Sequence, residues 1–341
     1  MIGTEFLDGQ GLGNQLFCYI SARCIAEDLG ESFGTAGQER LAVNVHSKKG
    51  MYFMNLDLGK DVTDPESCKR YDEKEKRIYI NDCVHDLVHG CYIAGTDEGI
   101  YDLQAGDETV LIYGNMQSER YFGAHRDEIC SWMKVRPEYD SDEYTSDDIC
   151  VMNMRGGEYY GEHELFVEKK YWTDAMKYMK SIRSDMRFVI VTDDVEAAGK
   201  LFPKIPAHHS ELAKDYVTVK NARYLILSNS SFGFFPAYTS TTVKKIIAPK
   251  YWARHNVSDG FWASEQNIYS IFSYMDRDGK LFTPEECRRE LTEYIPDKHK
   301  YIYYDEPLSE DSEIVKKQIK KDASIDMRQK VRWKLDRMFG K

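Results

Sequence analysis

Four short apolar runs, Ile149 to Met154, Phe188 to Thr192, Tyr224 to Leu227 and Lys245 to Ala248, are separated by stretches of helical spacing, of which Val167 to Ile182 is the clearest. Strand-length apolar runs alternating with helices predict a parallel α/β sheet, because a parallel neighbour is reached only by a crossover, usually a helix. The chain opens on the same pattern. The apolar run Glu5-Phe6-Leu7 leads into Gly9-Gln10-Gly11-Leu12-Gly13-Asn14, after which Leu16, Phe17, Ile20, Cys24, Ile25 and Leu29 recur at helical spacing up to Gly30. Two such regions in 341 residues predict two domains with a cleft between them.

The acidic run Glu138 to Asp148 has linker composition and divides the chain into an α/β domain over 1–145 and a second over 146–265. The charged, helically patterned remainder, 266–341, predicts a helical C-terminal extension. Residues 31–110 yield only a few β segments, such as Arg77-Ile78-Tyr79-Ile80.

A net charge of −11 argues against nucleic acid as a partner, so an anionic substrate must meet a local basic pocket. No run approaches the roughly 18 apolar residues of a spanning helix, and Met1 to Asp8 lacks the pattern of a secretory leader, which predicts a cytoplasmic chain. In that setting Asn229-Ser230-Ser231 and Asn256-Val257-Ser258 match the glycosylation pattern without being modified. The eight cysteines contain no C-x-x-C pair, and most are read as reduced and packed. His208 and His209 are read as surface residues, and Asp276-Arg277-Asp278 lacks the context of a metal motif, so no metal is expected. The basic, aromatic run Met327 to Lys341 suits either peripheral contact with an anionic membrane or docking on the acidic protein itself.

Glycines before a helix let backbone amides approach a phosphate. The spacing of Gly9, Gly11 and Gly13 is G-x-G-x-G, however, and not the dinucleotide fingerprint, which disfavours a dehydrogenase.

Gly11-Leu12-Gly13-Asn14-Gln15-Leu16-Phe17 resembles the amino-terminal signature of the α1,2-fucosyltransferases, glycosyltransferase family 11. Three further segments follow in that family's order. Tyr113 to Phe122 is similar to its G-Y-x-Q-S-E-K-Y-F segment, although a solvated turn over packed aromatics describes the same residues. Asn153-Met154-Arg155-Gly156-Gly157-Glu158-Tyr159 resembles H-x-R-R-x-D-Y with Asn153, Gly156 and Glu158 as departures. Thr192-Asp193-Asp194 with Asn229 to Phe235 resembles S-D-D and N-S-S-F-S-W-W, with Asp215 fourteen residues before Asn229 and Ile247 to Trp252 following as I-A-P-K-x-W.

The resemblance implies the GT-B fold: two facing Rossmann-like domains, the second binding a GDP-sugar and the first a glycan acceptor. It implies inverting, metal-independent transfer, most specifically of fucose to a glycan hydroxyl. Arg155 would stabilise the departing diphosphate. Glu158 would serve as base or orient Arg155, and no residue declares itself the base. Asp193 or Asp194 would read guanine, the alternative for Asp194 being a helix cap. Ser230, Ser231 and Phe232 would hold phosphate, with Asn153 beside them, while core packing is the alternative for Phe232, Phe234 and Phe235. Gly11, Gly13 and Asn14 would approach from across the cleft. Gly156, standing where the family has a second arginine, leaves open another nucleotide sugar or a non-catalytic carbohydrate-binding relative.

Overall fold

The computed structural model of the chain describes all residues apart from 45–46, 75–76, 81–87, 89–90, 93–95, 259, 261, 263–264, 294–302, 305–307 and 340–341. The first strand, β1, is Ile2–Glu5, beginning three residues before the expected Glu5-Phe6-Leu7. Phe6 is buried just past its end and Leu7 is 43% exposed. Helix α1 (Leu12–Asp28) follows and crosses to β2 (Phe33–Ala36), parallel to β1. Gly30, at φ +67°, takes the left-handed turn that ends the helix.

Strands β3 (Lys60–Asp61) and β4 (Lys69–Asp72) come next, then β5 (Arg77–Ile80), where expected, and β6 (Cys91–Tyr92). With β7 (Val110–Tyr113) they complete a parallel first sheet of order β3-β2-β1-β7-β4, while β5 and β6 belong to a separate ribbon. A short helix, α2 (Arg126–Trp132), leads toward the second sheet.

There the sequence pattern is realised closely. β8 (Ile149–Met154), α3 (Lys169–Ile182), β9 (Arg187–Thr192), α4 (Val195–Leu201) and β10 (Ala207–His208) run outward to one edge. After α5 (Leu212–Asn221), the chain returns to the other side of β8 with β11 (Tyr224–Leu227), α6 (Phe234–Tyr238) and β12 (Lys245–Pro249). The strand order β10-β9-β8-β11-β12 places a topological switch point between β8 and β11, where parallel sheets open a crevice at their carboxyl ends.

The stretch from 266 departs from the expected all-helical extension. β13 (Ser273–Met275) adds to β12 in parallel and β14 (Leu281–Phe282) pairs antiparallel with β13, extending the second sheet before α7 (Pro284–Glu293). β15 (Tyr303–Tyr304) joins the ribbon beside β5, and α8 (Glu313–Phe339) ends the chain. In the basic run Met327, Arg328 and Val331 are exposed, and most of its remaining side chains lie outside the described residues. Among the described residues no helix is long and apolar enough to cross a membrane.

β8 alternates as a pleated strand must. Cys150, Met152 and Met154 pack beneath α3, while Val151 faces a core shared by both sheets. In that shared core Phe17 of α1 stacks on Phe234 of α6 at 4.8 Å, and Phe234 meets Tyr269 at 4.1 Å. Phe234 and Phe235 are therefore core residues. The segment Met116 to Phe122 ties the tail to the first sheet. Gln117 accepts from Asn267 (3.0 Å), Glu119 from Ser270 (2.7 Å to its backbone N), and Tyr121 donates to Glu73 (2.8 Å), which also accepts from Gln266 (2.7 Å).

Candidate active site

The carboxyl ends of β1 and of β8 to β11 face one another across a cavity of about 510 Å³. On the first-sheet side its wall is the loop and first turn of α1, including Gly11, Gly13 and Asn14. Gly11 is the N-cap, and it offers no side chain to the amides of that turn. Such amides, lacking carbonyl partners within the helix, present partial positive charge to whatever fills the space. Asn14 Oδ1 accepts from Gln117 at 3.2 Å, which holds the side chain at the rim.

Across the cleft, Arg155 leaves the end of β8. Its Nη1 lies 2.7 Å from Asp193 Oδ2 and its Nη2 2.5 Å from Glu158 Oε1. Asp193, at the end of β9, also accepts from the Gly156 amide through Oδ1 at 2.7 Å. One carboxylate thus grips both the arginine side chain and the turn that follows it. Glu158 is 63% exposed and stands on the outer lip.

Gly156 and Gly157 make room for the two aspartates. A Cβ on Gly156 would come within 2.4 Å of the Asp194 Cβ, and one on Gly157 within 2.7 Å of Asp193 Oδ2. Asp194 itself turns away from the cavity and caps α4, accepting from the Ala197 amide at 2.9 Å. Of the two roles open to Asp194, its carboxylate takes the helix cap.

After β11, Ser230 accepts from the Phe232 amide at 3.3 Å, so the chain turns sharply and lays Ser230, Ser231 and Phe232 along the cavity. Phe232 is half-buried, unlike its two phenylalanine neighbours. Asn153, 6% exposed, shares the Val151 face of β8; it donates weakly to Val191 O (3.4 Å), and its Oδ1 lies close to Gly233.

Two lining residues had not been expected to act. His209 is exposed, as expected of a surface histidine, and it also follows β10 directly, lines the cavity and places Nδ1 3.2 Å from Asp215 Oδ2. Asp215 is 8% exposed on α5, and burial pushes its pKa up. The Ser210 amide donates to it at 3.1 Å. Its spacing before Asn229 is the signal in the sequence; the partnership with His209 depends on the turn between β10 and α5. Asn44, from the first sheet's side, also reaches the cavity.

Among the described residues no three His, Cys, Asp or Glu side chains gather as metal ligands would. Asp276 uses Oδ1 to accept from the amides of Asp278 and Lys280, both at 2.9 Å, as the turn residue of the β13–β14 hairpin.

No protein-family model matches the chain. It is 25% identical over 173 residues to the alpha-1,2-colitosyltransferase of Escherichia coli, a match that covers 45% of this chain and 59% of that relative's length. Among solved structures it is similar to the fucosyltransferase NodZ from Bradyrhizobium, with 14% identity and a TM-score of 0.41, covering 72% of this chain and 94% of that one. POFUT1 in complex with GDP-fucose is similar at 9% identity with a TM-score of 0.41, covering 72% of this chain and 96% of that one.

Proposed function

We propose that the chain is a glycosyltransferase that moves a sugar, fucose or a close relative of it, from a GDP-sugar to a glycan hydroxyl with inversion, forming an α1,2 linkage. The observation that carries this reading is the placement of the Arg155 guanidinium at the β8–β11 switch point, opposite Ser230–Ser231 and the open first turn of α1. A diphosphate lying there meets a guanidinium fork, hydroxyls and helix amides, all of which gain strength as the sugar bond breaks and charge collects on the leaving oxygen. The colitosyltransferase relative supports the same class of chemistry.

Asp193 touches Arg155 and so stands at the diphosphate end. A ribose separates diphosphate from base, and the reader of guanine must lie farther along the sheet. Asp215 and His209 stand by β10, two strands from β8, which at the usual strand spacing is roughly 10 Å. A buried carboxylate there suits the ring N–H and amino group of guanine.

Arg155 and Glu158 hold each other at 2.5 Å. When a diphosphate engages the guanidinium, Glu158 on the cavity lip becomes available to accept the proton of the attacking hydroxyl. The acceptor enters from the first-sheet side, past Asn14.

The test is a thermal-shift series with GDP, UDP, CDP and NAD, with and without chelator, followed by transfer assays using GDP-fucose and GDP-colitose. A selective GDP response that survives chelator supports the reading. Stabilisation by UDP or CDP alone overturns the donor, and no response from any of them leaves a non-catalytic carbohydrate-binding protein as the better description.

A further inference from the structure

Asp193 stands where the resemblance would have it touch guanine, but its bonds run the other way. Its side chain is 10% exposed, Oδ2 is 2.7 Å from Arg155 Nη1, and Oδ1 accepts from the Gly156 amide at 2.7 Å. Both oxygens are turned toward the exit of β8, where the diphosphate would lie, and not toward β10. The glycines complete the arrangement: side chains at 156 or 157 would collide with Asp194 or with Asp193 Oδ2 itself. The glycine pair and the aspartate pair are complementary parts of one turn.

We propose that Asp193 is the positioning residue of the site, fixing the Arg155 guanidinium and the Gly156–Gly157 turn in the orientation that meets the diphosphate, and that it does not contact the nucleobase. The inference rests on reading the cavity as a diphosphate-sugar site. A long arginine side chain samples many rotamers, and a short ion pair to a buried carboxylate that is itself anchored on backbone selects one of them. With Gly156 in place of a second arginine, the orientation of the remaining one decides how much leaving-group charge is stabilised.

Asp193→Asn keeps an acceptor for the Gly156 amide and removes the charge that holds Arg155; Asp193→Glu keeps the charge at a longer reach. Expected for Asp193→Asn is a fall in kcat of ~10²-fold from the misplaced guanidinium, with any weakening of GDP shared equally by UDP so that the preference for GDP is unchanged, and partial recovery in Asp193→Glu. A rise in the GDP Kd with loss of the GDP preference and an unaltered kcat at saturation would overturn the proposal and make Asp193 a base contact. A second arm needs no ligand. Side-chain nitrogen NMR of Arg155 should show a guanidinium restrained on both Nη groups in the wild type and faster rotation in Asp193→Asn, where the pair with Glu158 alone remains. An unchanged signal sinks the inference whatever the donor proves to be, while failure of the wild type to bind any nucleotide sinks the donor reading and leaves the NMR result to decide the positioning role.

Discussion

Gly13 and Ser231 meet backbone to backbone: a Cβ on Gly13 would stand 2.4 Å from the Ser231 carbonyl carbon and 2.5 Å from the Phe232 amide nitrogen. The first turn of α1 and the serine turn after β11 therefore close on each other, and the two halves of the cavity are registered by this contact. Gly13→Ala must push them apart, at a cost of about 1–3 kcal/mol for overpacking of this kind, and should weaken GDP binding. Gly11 is the control. It has φ −65° and nothing within 4 Å of its Cβ position, so Gly11→Ala should cost no more than the N-cap preference for Gly over Ala, under about 1 kcal/mol, and should leave GDP binding intact. Denaturant midpoints of the two variants check the contrast, and equal effects would show that the contact does not set the register.

Arg155→Ala should reduce kcat by about 10³-fold or more, the scale set by removing an electrostatic stabiliser of a transition state. The fold should persist, with a loss of about 1–3 kcal/mol because the buried Asp193 carboxylate loses its ion pair. Arg155→Lys keeps the charge without the fork that spans Asp193 and Glu158, and should recover only part of the rate. Steady-state kinetics beside a melting curve separates the two effects; wild-type turnover in Arg155→Ala would remove the mechanism.

Restoring an arginine at position 156 should not improve the enzyme. The Cβ alone would lie 2.4 Å from the Asp194 Cβ, so the turn or the start of α4 has to move. Moving Asp194 forfeits its bond to the Ala197 amide, a helix cap of about 1 kcal/mol, in addition to the overpacking. Gly156→Arg is expected to melt earlier and to transfer more slowly than the wild type. A variant that is as stable and faster would mean that the turn adapts freely and that the glycine is incidental.

The second sheet was legible because its strands are buried on both faces and read as unbroken apolar runs. Val151, Ile190, Leu225 and Ile247 are all core residues. The first strand was misplaced for a physical reason. Ile2-Gly3-Thr4-Glu5 contains little hydrophobic signal, since Gly3 makes way for the Gly34 carbonyl and Thr4 is buried by donating to Ile112 O at 2.9 Å. The β13–β14 hairpin is hidden because Asp276-Arg277-Asp278 has the form of a metal motif, while Asp278-Gly279 is turn chemistry. Of the site, Arg155, Asp193 and the two serines could be found by motif. The Asp193–Arg155 pair could not, because it joins the ends of two strands that are adjacent only in the folded sheet; the His209–Asp215 pair spans six residues and depends on the turn between β10 and α5.

Stability should fall in mild acid through His255. Its side chain is buried after β12, Nδ1 lies 2.9 Å from Lys250 O, the ring packs on Tyr171 at 5.1 Å, and desolvation pushes its pKa down from 6.5 to about 4. The unfolded chain takes up the proton near pH 6.5 and the folded chain only near pH 4, so the unfolded state binds more protons throughout that window. Stability is therefore present above the window and lost as pH falls through it, by roughly 3 kcal/mol for a shift of this size. Asp215 acts in the opposite sense: its raised pKa lets the folded state hold a proton that the unfolded state has released, so its contribution is lost as pH rises. Urea unfolding of wild type and His255→Gln at pH 7 and pH 4.5 isolates the histidine, because the carboxylates are common to both chains. The gap between the two proteins should shift in favour of the variant at the lower pH, and a gap independent of pH would show that His255 is not held neutral by burial.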